Sequence, residues 1–150
     1  MNVHHLDIKK FLPHRAPFLM VDHVLTIDDE HVSTSFHIKP ECIFNEHGVF
    51  NEAGMIENAA QTCSSIVGKT YFDDDDTEGE KVKLIGFISA IKKIKVFDCA
   101  KTGVTITTKA FIKSRMITDQ YSVCSIECFI YENTKELLSC EITLFIQQIK

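Results

Sequence analysis

The sequence predicts an α+β fold in which an antiparallel sheet curls around one long central helix. Period-two alternation of apolar and polar residues dominates the second half of the chain. Only one segment, from Asn51 to Gly68, carries a sustained helical period. The far side of that segment is polar but built of small residues, which is not how a helix meets water.

The strands justify themselves in order. Met20–Thr26 and His31–Ile38 are predicted strands joined by the acidic turn DDE. Leu84–Phe97 is apolar on both faces early, through Leu84, Ile85, Phe87 and Ile88, then turns to Lys92, Lys93 and Lys95. That pattern predicts a central strand, or one covered on both sides. In 103–113 the core face is Val104, Ile106, Ala110 and Ile112, and in 121–131 it is Cys124, Ile126, Cys128 and Ile130. In 136–147 it is Leu138, Cys140, Ile142, Leu144 and Ile146. The order is two strands, one helix, then four strands.

The helix has a clear beginning. Asn51 is a natural N-cap, and Glu52 suits the positive end of the helix. At 100° per residue, Ala53, Ile56, Ala60, Cys63 and Val67 form an apolar stripe, which Met55, Ala59 and Ile66 widen. Opposite stand Gly54, Asn58, Gln61, Thr62, Ser64 and Ser65, and Glu57 is the sole charge between 53 and 68. The helix is therefore expected to be covered all round.

Bulk properties set the limits. At 150 residues, 45% apolar and 25% charged, the chain reads as one soluble domain, 1–150. No apolar run reaches the roughly 18 residues of a membrane span, so no membrane insertion is expected. The start, MNVHHLDIKKFLPHR, lacks the apolar run of a signal peptide. Six cysteines without a CxxC pair or metal-ligand spacing read as buried reduced thiols, which fits the cytoplasm. The net charge of −5 hides a near-neutral body, because DDDDTEGE (73–80) supplies six acids. No basic stripe is left for nucleic acid. The acidic run reads as a solvated loop, since EF-hand ligand spacing is lacking.

One charge stands out. An enclosed carboxylate is costly unless paired or used, and enclosure favours its protonated form. Two readings stay open on periodicity alone: Glu57 touches water at the stripe's edge, or it does chemistry. Gln61, one turn on, is placed to bond the carboxylate or a ligand. The nearby helix start offers N–H groups that polarise a carbonyl. His47 lies ten residues before Glu57, in the connection to the helix. No HExxH, GxSxG or P-loop occurs, so metalloprotease, serine hydrolase and nucleotidase chemistry have no residues to stand on.

The run LPHRAPFLMVDHV (12–24) resembles the opening segment of the (3R)-hydroxyacyl-[acyl-carrier-protein] dehydratases, which have the hotdog fold. VFNEAGMIENAAQ (49–61) looks like that family's helix, with Glu57 and Gln61 in matching positions. IGFISAIKKIKVFDCAKTGVTI (85–106) is similar to the segment that follows it. The resemblance covers nearly the whole chain. It implies a homodimer, or a higher assembly of dimers, with each site at the subunit interface. A His of one subunit removes the α-proton of a 3-hydroxyacyl thioester, and the helix Glu of the other protonates the departing hydroxyl. The product is a trans-2-enoyl thioester. Glu57 is then the acid and His47 the base, with Ala53, Gly54 and Gln61 binding substrate. Backbone N–H groups at the helix start would hold the thioester oxygen. No metal or other cofactor is implied, because the thioester itself acidifies the α-carbon. A substrate carried as acyl-phosphopantetheine on acyl carrier protein, or as acyl-coenzyme A, is implied as partner. Lys92, Lys93, Lys95, Lys101 and Arg115 are candidates for a basic docking rim, or ordinary surface residues.

The chain departs from the family at one place. The usual His stands in a Gly-His-Phe-Pro motif before a Pro-Gly helix start, whereas this loop reads NEHGVFNEAG and is shorter. It looks similar to that of divergent members tied to aryl-polyene and related pigment pathways. Either a rerouted loop brings His47 to the same point, or the base is absent or another group such as His23 or His37. His14 and Arg15 read as structural, holding the amino-terminal segment over the tunnel. Phe11, Phe18, Phe44 and Phe50 are expected to include tunnel or core residues. Two rival functions remain: a hotdog thioesterase in which Glu57 activates water, and a non-catalytic acyl-binding subunit.

Overall fold

The computed structural model describes residues 2–71 and 83–149. The acidic run 73–80, read above as a loop, lies outside them. Among the described residues the order is β1 (Asn2–Asp7), a 3-10 turn (Ile8–Lys10), β2 (His23–Ile27), β3 (His31–His37), β4 (Asn45–Glu46) and β5 (Val49–Phe50). There follow α1 (Glu52–Tyr71), β6 (Lys83–Val96), β7 (Thr105–Ile117), β8 (Tyr121–Glu132) and β9 (Lys135–Ile149). Seven strands form one antiparallel sheet in the order β1-β2-β3-β7-β8-β9-β6. Helix α1 packs against β3, β7, β8 and β9. This is the hotdog arrangement.

Alternation sets which face meets the helix. Cys124, Ile126, Cys128 and Ile130 of β8 point inward, as do Leu138, Cys140, Ile142, Leu144 and Ile146 of β9. A slip of one residue would turn each set to water, so the pattern fixes the register. All six cysteines are free thiols; Cys63, Cys124, Cys128 and Cys140 are buried, and Cys42 and Cys99 are half-buried.

The small polar side of α1 is buried against the sheet rather than solvated. Thr62 Oγ1 meets Thr34 Oγ1 of β3 at 2.8 Å, and Thr108 Oγ1 of β7 donates to Asn58 Oδ1 at 2.6 Å. Each hydroxyl or amide there has a partner, which is the condition for burying it. Coverage of the helix is nevertheless incomplete. Ala53 is exposed, and Ile56, Glu57 and Ser64 are half-buried along one edge.

Strand β6 corrects the sequence reading. It is an edge strand, paired only with β9 among the described residues, not a central one. Phe87 is 53% exposed, and Ile88, Ile94, Val96 and Phe97 are exposed as well. A two-sided apolar strand looks the same in sequence whether its own chain or another covers it. The amino-terminal strand β1 and the small β4–β5 hairpin were also not foreseen.

Asn51 caps α1 as predicted: Gly54 N donates to Asn51 Oδ1 at 2.9 Å. Gly54 is required by close approach. A Cβ at this position would lie 2.5 Å from Phe50 Cε1 and 2.6 Å from Phe44 Cβ. Phe50 is wholly buried and Phe44 half-buried. Gly54→Ala should therefore destabilise the fold by about 1–3 kcal/mol, as overpacking does. Thermal unfolding would show a midpoint lowered by roughly 3–10 °C.

Candidate active site

Glu57 opens onto a cavity of about 370 Å³, bounded by the 11–14 segment, helix α1, the start of β6 and the inner face of β9. Phe11, Pro13, Phe87 and Ile146 give it an apolar wall, while His14, Glu57 and Gln61 are its hydrogen-bonding and titratable groups beside Ser64. It suits an acyl chain with one polar end.

Gln61 organises this polar end. Its Nε2 donates to Glu57 Oε1 at 2.8 Å and to Phe18 O at 2.9 Å. Its Oε1 accepts from Met20 N at 2.7 Å. The two backbone partners, one acceptor and one donor, fix which way round the amide sits. Both amide protons are thus committed. Because Glu57 Oε1 already accepts from Gln61, a carboxyl proton on Glu57 belongs on Oε2. Asn58 adds a parallel tie, donating from Nδ2 to Met20 O at 2.7 Å. The amino-terminal segment is thereby fastened across α1.

That segment brings in His14. Arg15 Nη1 donates to Leu12 O at 2.9 Å and to His14 O at 2.8 Å, which fixes the turn. Arg15 is structural, as expected, but His14 lines the cavity with Glu57. Its Nδ1 is buried and has no hydrogen-bond partner among the described residues. Burial holds the imidazole pKa below the usual 6.5; the negative charge of Glu57 opposes the shift and the positive charge of Arg15 adds to it. His14 is therefore neutral at pH 7. Sequence reasoning placed this segment over the tunnel but gave the His14 ring only a structural role, because nothing local links LPHR to the helix.

The other predicted residues are placed as follows. His47 and Gly48 form the two-residue turn between β4 and β5, with φ of 54° and 82°. Both angles are positive, as a type I′ hairpin turn demands. His47 is exposed and does not line the Glu57 cavity of its own chain. His23 and His37 line a second cavity, of about 700 Å³, beside Asp22, Lys39 and Cys42, and not the one holding Glu57. Gly54 lies beneath Phe44 and Phe50 with its amide taken by the cap, and Ala53 is exposed. Of the aromatics, Phe50 is core, Phe11 lines the cavity and Phe18 is 64% exposed.

Lys92, Lys93 and Lys95 are exposed on β6, and Lys101 is exposed before β7. Arg115 is on β7, separated from β6 by β8 and β9, and donates to Asp29 O at 3.0 Å. Among the described residues, no group of three or more His, Cys, Asp or Glu is placed to hold a metal ion. No described helix is long and apolar enough to cross a membrane.

Gln61→Leu should strand the Met20 amide and release the Glu57 carboxylate. A buried group left unpaired costs roughly 1–3 kcal/mol, which denaturant unfolding would register. Hydrogen exchange at Met20 should quicken in the same variant.

Known proteins share this fold. The ApeP-like family, described as ApeP dehydratase, matches residues 6–149. A 3-hydroxyacyl-[acyl-carrier-protein] dehydratase FabZ of Wolbachia sp. subsp. Brugia malayi is 29% identical, over 95% of this chain and 96% of that protein. The FabZ of Streptococcus uberis is 31% identical over 73% of this chain and 76% of its own length. Among solved structures, the dehydratase heterocomplex ApeI:P from Xenorhabdus doucetiae superposes with a TM-score of 0.76 at 16% identity, covering 98% of this chain and 93% of that one. A hypothetical thioesterase of Streptococcus pneumoniae, solved with coenzyme A, gives 0.56 at 14% identity, covering 85% and 88%. The match over nearly all of its length makes this chain a member of the ApeP-like dehydratase family.

Proposed function

We propose that the protein dehydrates 3-hydroxyacyl thioesters to trans-2-enoyl thioesters, with Glu57 as the acid. The observation that carries this reading is a single carboxylate, oriented by Gln61, at the polar end of an apolar cavity. The acyl chain lies along Phe11 and Ile146, with its C3 hydroxyl at Glu57 Oε2. A base takes the α-proton as the C=C bond forms. Glu57 gives its proton to the departing hydroxyl, and water leaves. Return of the proton from base to Glu57 resets the site.

The base in this reading is His47 of a second hotdog chain. Its place at the tip of an exposed hairpin suits a group that reaches into a neighbour. The open edge of β6 and its bare Phe87, Ile88 and Ile94 give that neighbour a surface to cover. Because β6 also walls the cavity, the same contact would close the cavity's mouth. The ApeI:P structure is a complex of dehydratase chains, which supports such pairing.

Acyl carrier protein is the carrier, by analogy with the names of the FabZ relatives. Lys92, Lys93 and Lys95 lie four to nine residues beyond the β6 wall of the cavity, and Lys92 is roughly 13–20 Å along the strand. They are placed to meet an acidic carrier while its arm reaches inward. A cytoplasmic location goes with this role.

Glu57→Gln should lower enoyl formation by about 10²–10⁴-fold, the usual worth of a positioned acid. His47→Gln should do the same. Mixing the two variants and allowing exchange should restore roughly a quarter of the wild-type rate, since half the dimers then hold one intact site. Wild-type turnover in His47→Gln would remove His47 as base and leave the acid. Thiol release from plain acyl thioesters, without enoyl product, would favour the thioesterase instead.

A further inference from the structure

One expected holder of the thioester oxygen, the Gly54 amide, is already engaged. The amide of Gly54 at the start of α1 is bonded to Asn51 Oδ1, and Gly54 lies against the Phe50 ring and Phe44 Cβ, outside the lining of the cavity. A side-chain donor facing the carbonyl would stabilise the charge that builds there as the α-proton leaves.

His14 is unassigned in the reaction described above, and its ring is placed for this. It lines the Glu57 cavity, and Arg15 pins its backbone through the His14 carbonyl. Nδ1 is buried without a partner among the described residues, which leaves Nε2 as the nitrogen for the cavity that His14 lines. A buried lone pair is tolerated more readily than a buried N–H with no acceptor. The proton of the neutral ring therefore sits on Nε2. Burial also disfavours the doubly protonated ring, which would add an unpaired N–H at Nδ1.

We infer that His14 donates its Nε2–H to the thioester carbonyl oxygen, stabilising the enolate-like charge while Glu57 serves the hydroxyl. This role rests on the dehydration reading. His14 makes and breaks no covalent bond in it: the α-proton goes to the base, the Glu57 proton goes to the hydroxyl, and the His14 proton stays on Nε2. A neutral imidazole is suited to this, because its N–H polarises the oxygen without the cost of a buried cation.

The test compares two variants of the assembled protein on a 3-hydroxyacyl thioester. His14→Leu removes the donor and should lower kcat by about 10²–10³-fold. His14→Gln places an amide N–H near the same point and should recover most of that loss, whereas an amide cannot replace a base. Equal loss in both variants overturns the donor role, and so does a His14→Leu enzyme as fast as wild type. Nitrogen NMR of the wild-type protein at pH 7 supplies a reading that does not depend on how the variants fold. A proton on Nε2 is expected, and one on Nδ1 overturns the assignment. Wild-type protein that forms no enoyl product removes the dehydration reading together with this role. An active wild type with unaffected His14→Leu removes this role alone.

Discussion

The Gln61 side chain is the constraint on which the site depends. Three hydrogen bonds from one amide join the backbone of Phe18 and Met20 to the carboxylate of Glu57. These groups come from the amino-terminal segment and the helix, and the two backbone bonds span 41 and 43 residues of chain. The same bonds hold the 11–14 segment over the cavity and decide which carboxyl oxygen is free. A ligand contact through Gln61 would require breaking one of them. Gln61 is better described as the part that positions the acid than as a part that grips substrate.

The second constraint is the division of the helix into two polar environments. Asn58, Thr62 and Ser65 are buried and satisfied by Thr108, Thr34, the Met20 carbonyl and the helix backbone. Glu57 and Ser64 lie on the edge that the sheet leaves open. Polar groups on the closed side specify how helix and sheet dock, since an unmatched partner there is costly. Those on the open side are available for chemistry. The cavity arises where the helix, the amino-terminal segment and the edge strand fail to close on each other.

Much of this was legible in the sequence, and the exceptions have physical causes. Alternation in β8 and β9 named the inward residues because one-face burial leaves a period of two. Small polar residues on α1 correctly implied that this side packs on the sheet, although the helix is not covered all round, and Glu57 stood out as the charge without a reason. The edge position of β6 was misread because sequence records that a face is apolar, not whose atoms cover it. His47 drew attention by its spacing from Glu57, while the His-Gly turn between two-residue strands was too short to show as a hairpin. His14 could not be found by spacing at all. Its nearness to Glu57 is made by the Gln61 clamp, and the sequence placed its segment over the tunnel without giving the ring a part in the site.

The central claim is that the reacting end of the substrate is held at Glu57 inside this cavity. A crystal structure of the assembled protein with a stable 3-hydroxyacyl-pantetheine analogue tests it most directly. The account predicts the acyl chain between Phe11 and Ile146, with the C3 hydroxyl within hydrogen-bond distance of Glu57 Oε2. An analogue seated instead beside His23 and His37, with Glu57 touching none of it, would contradict the account.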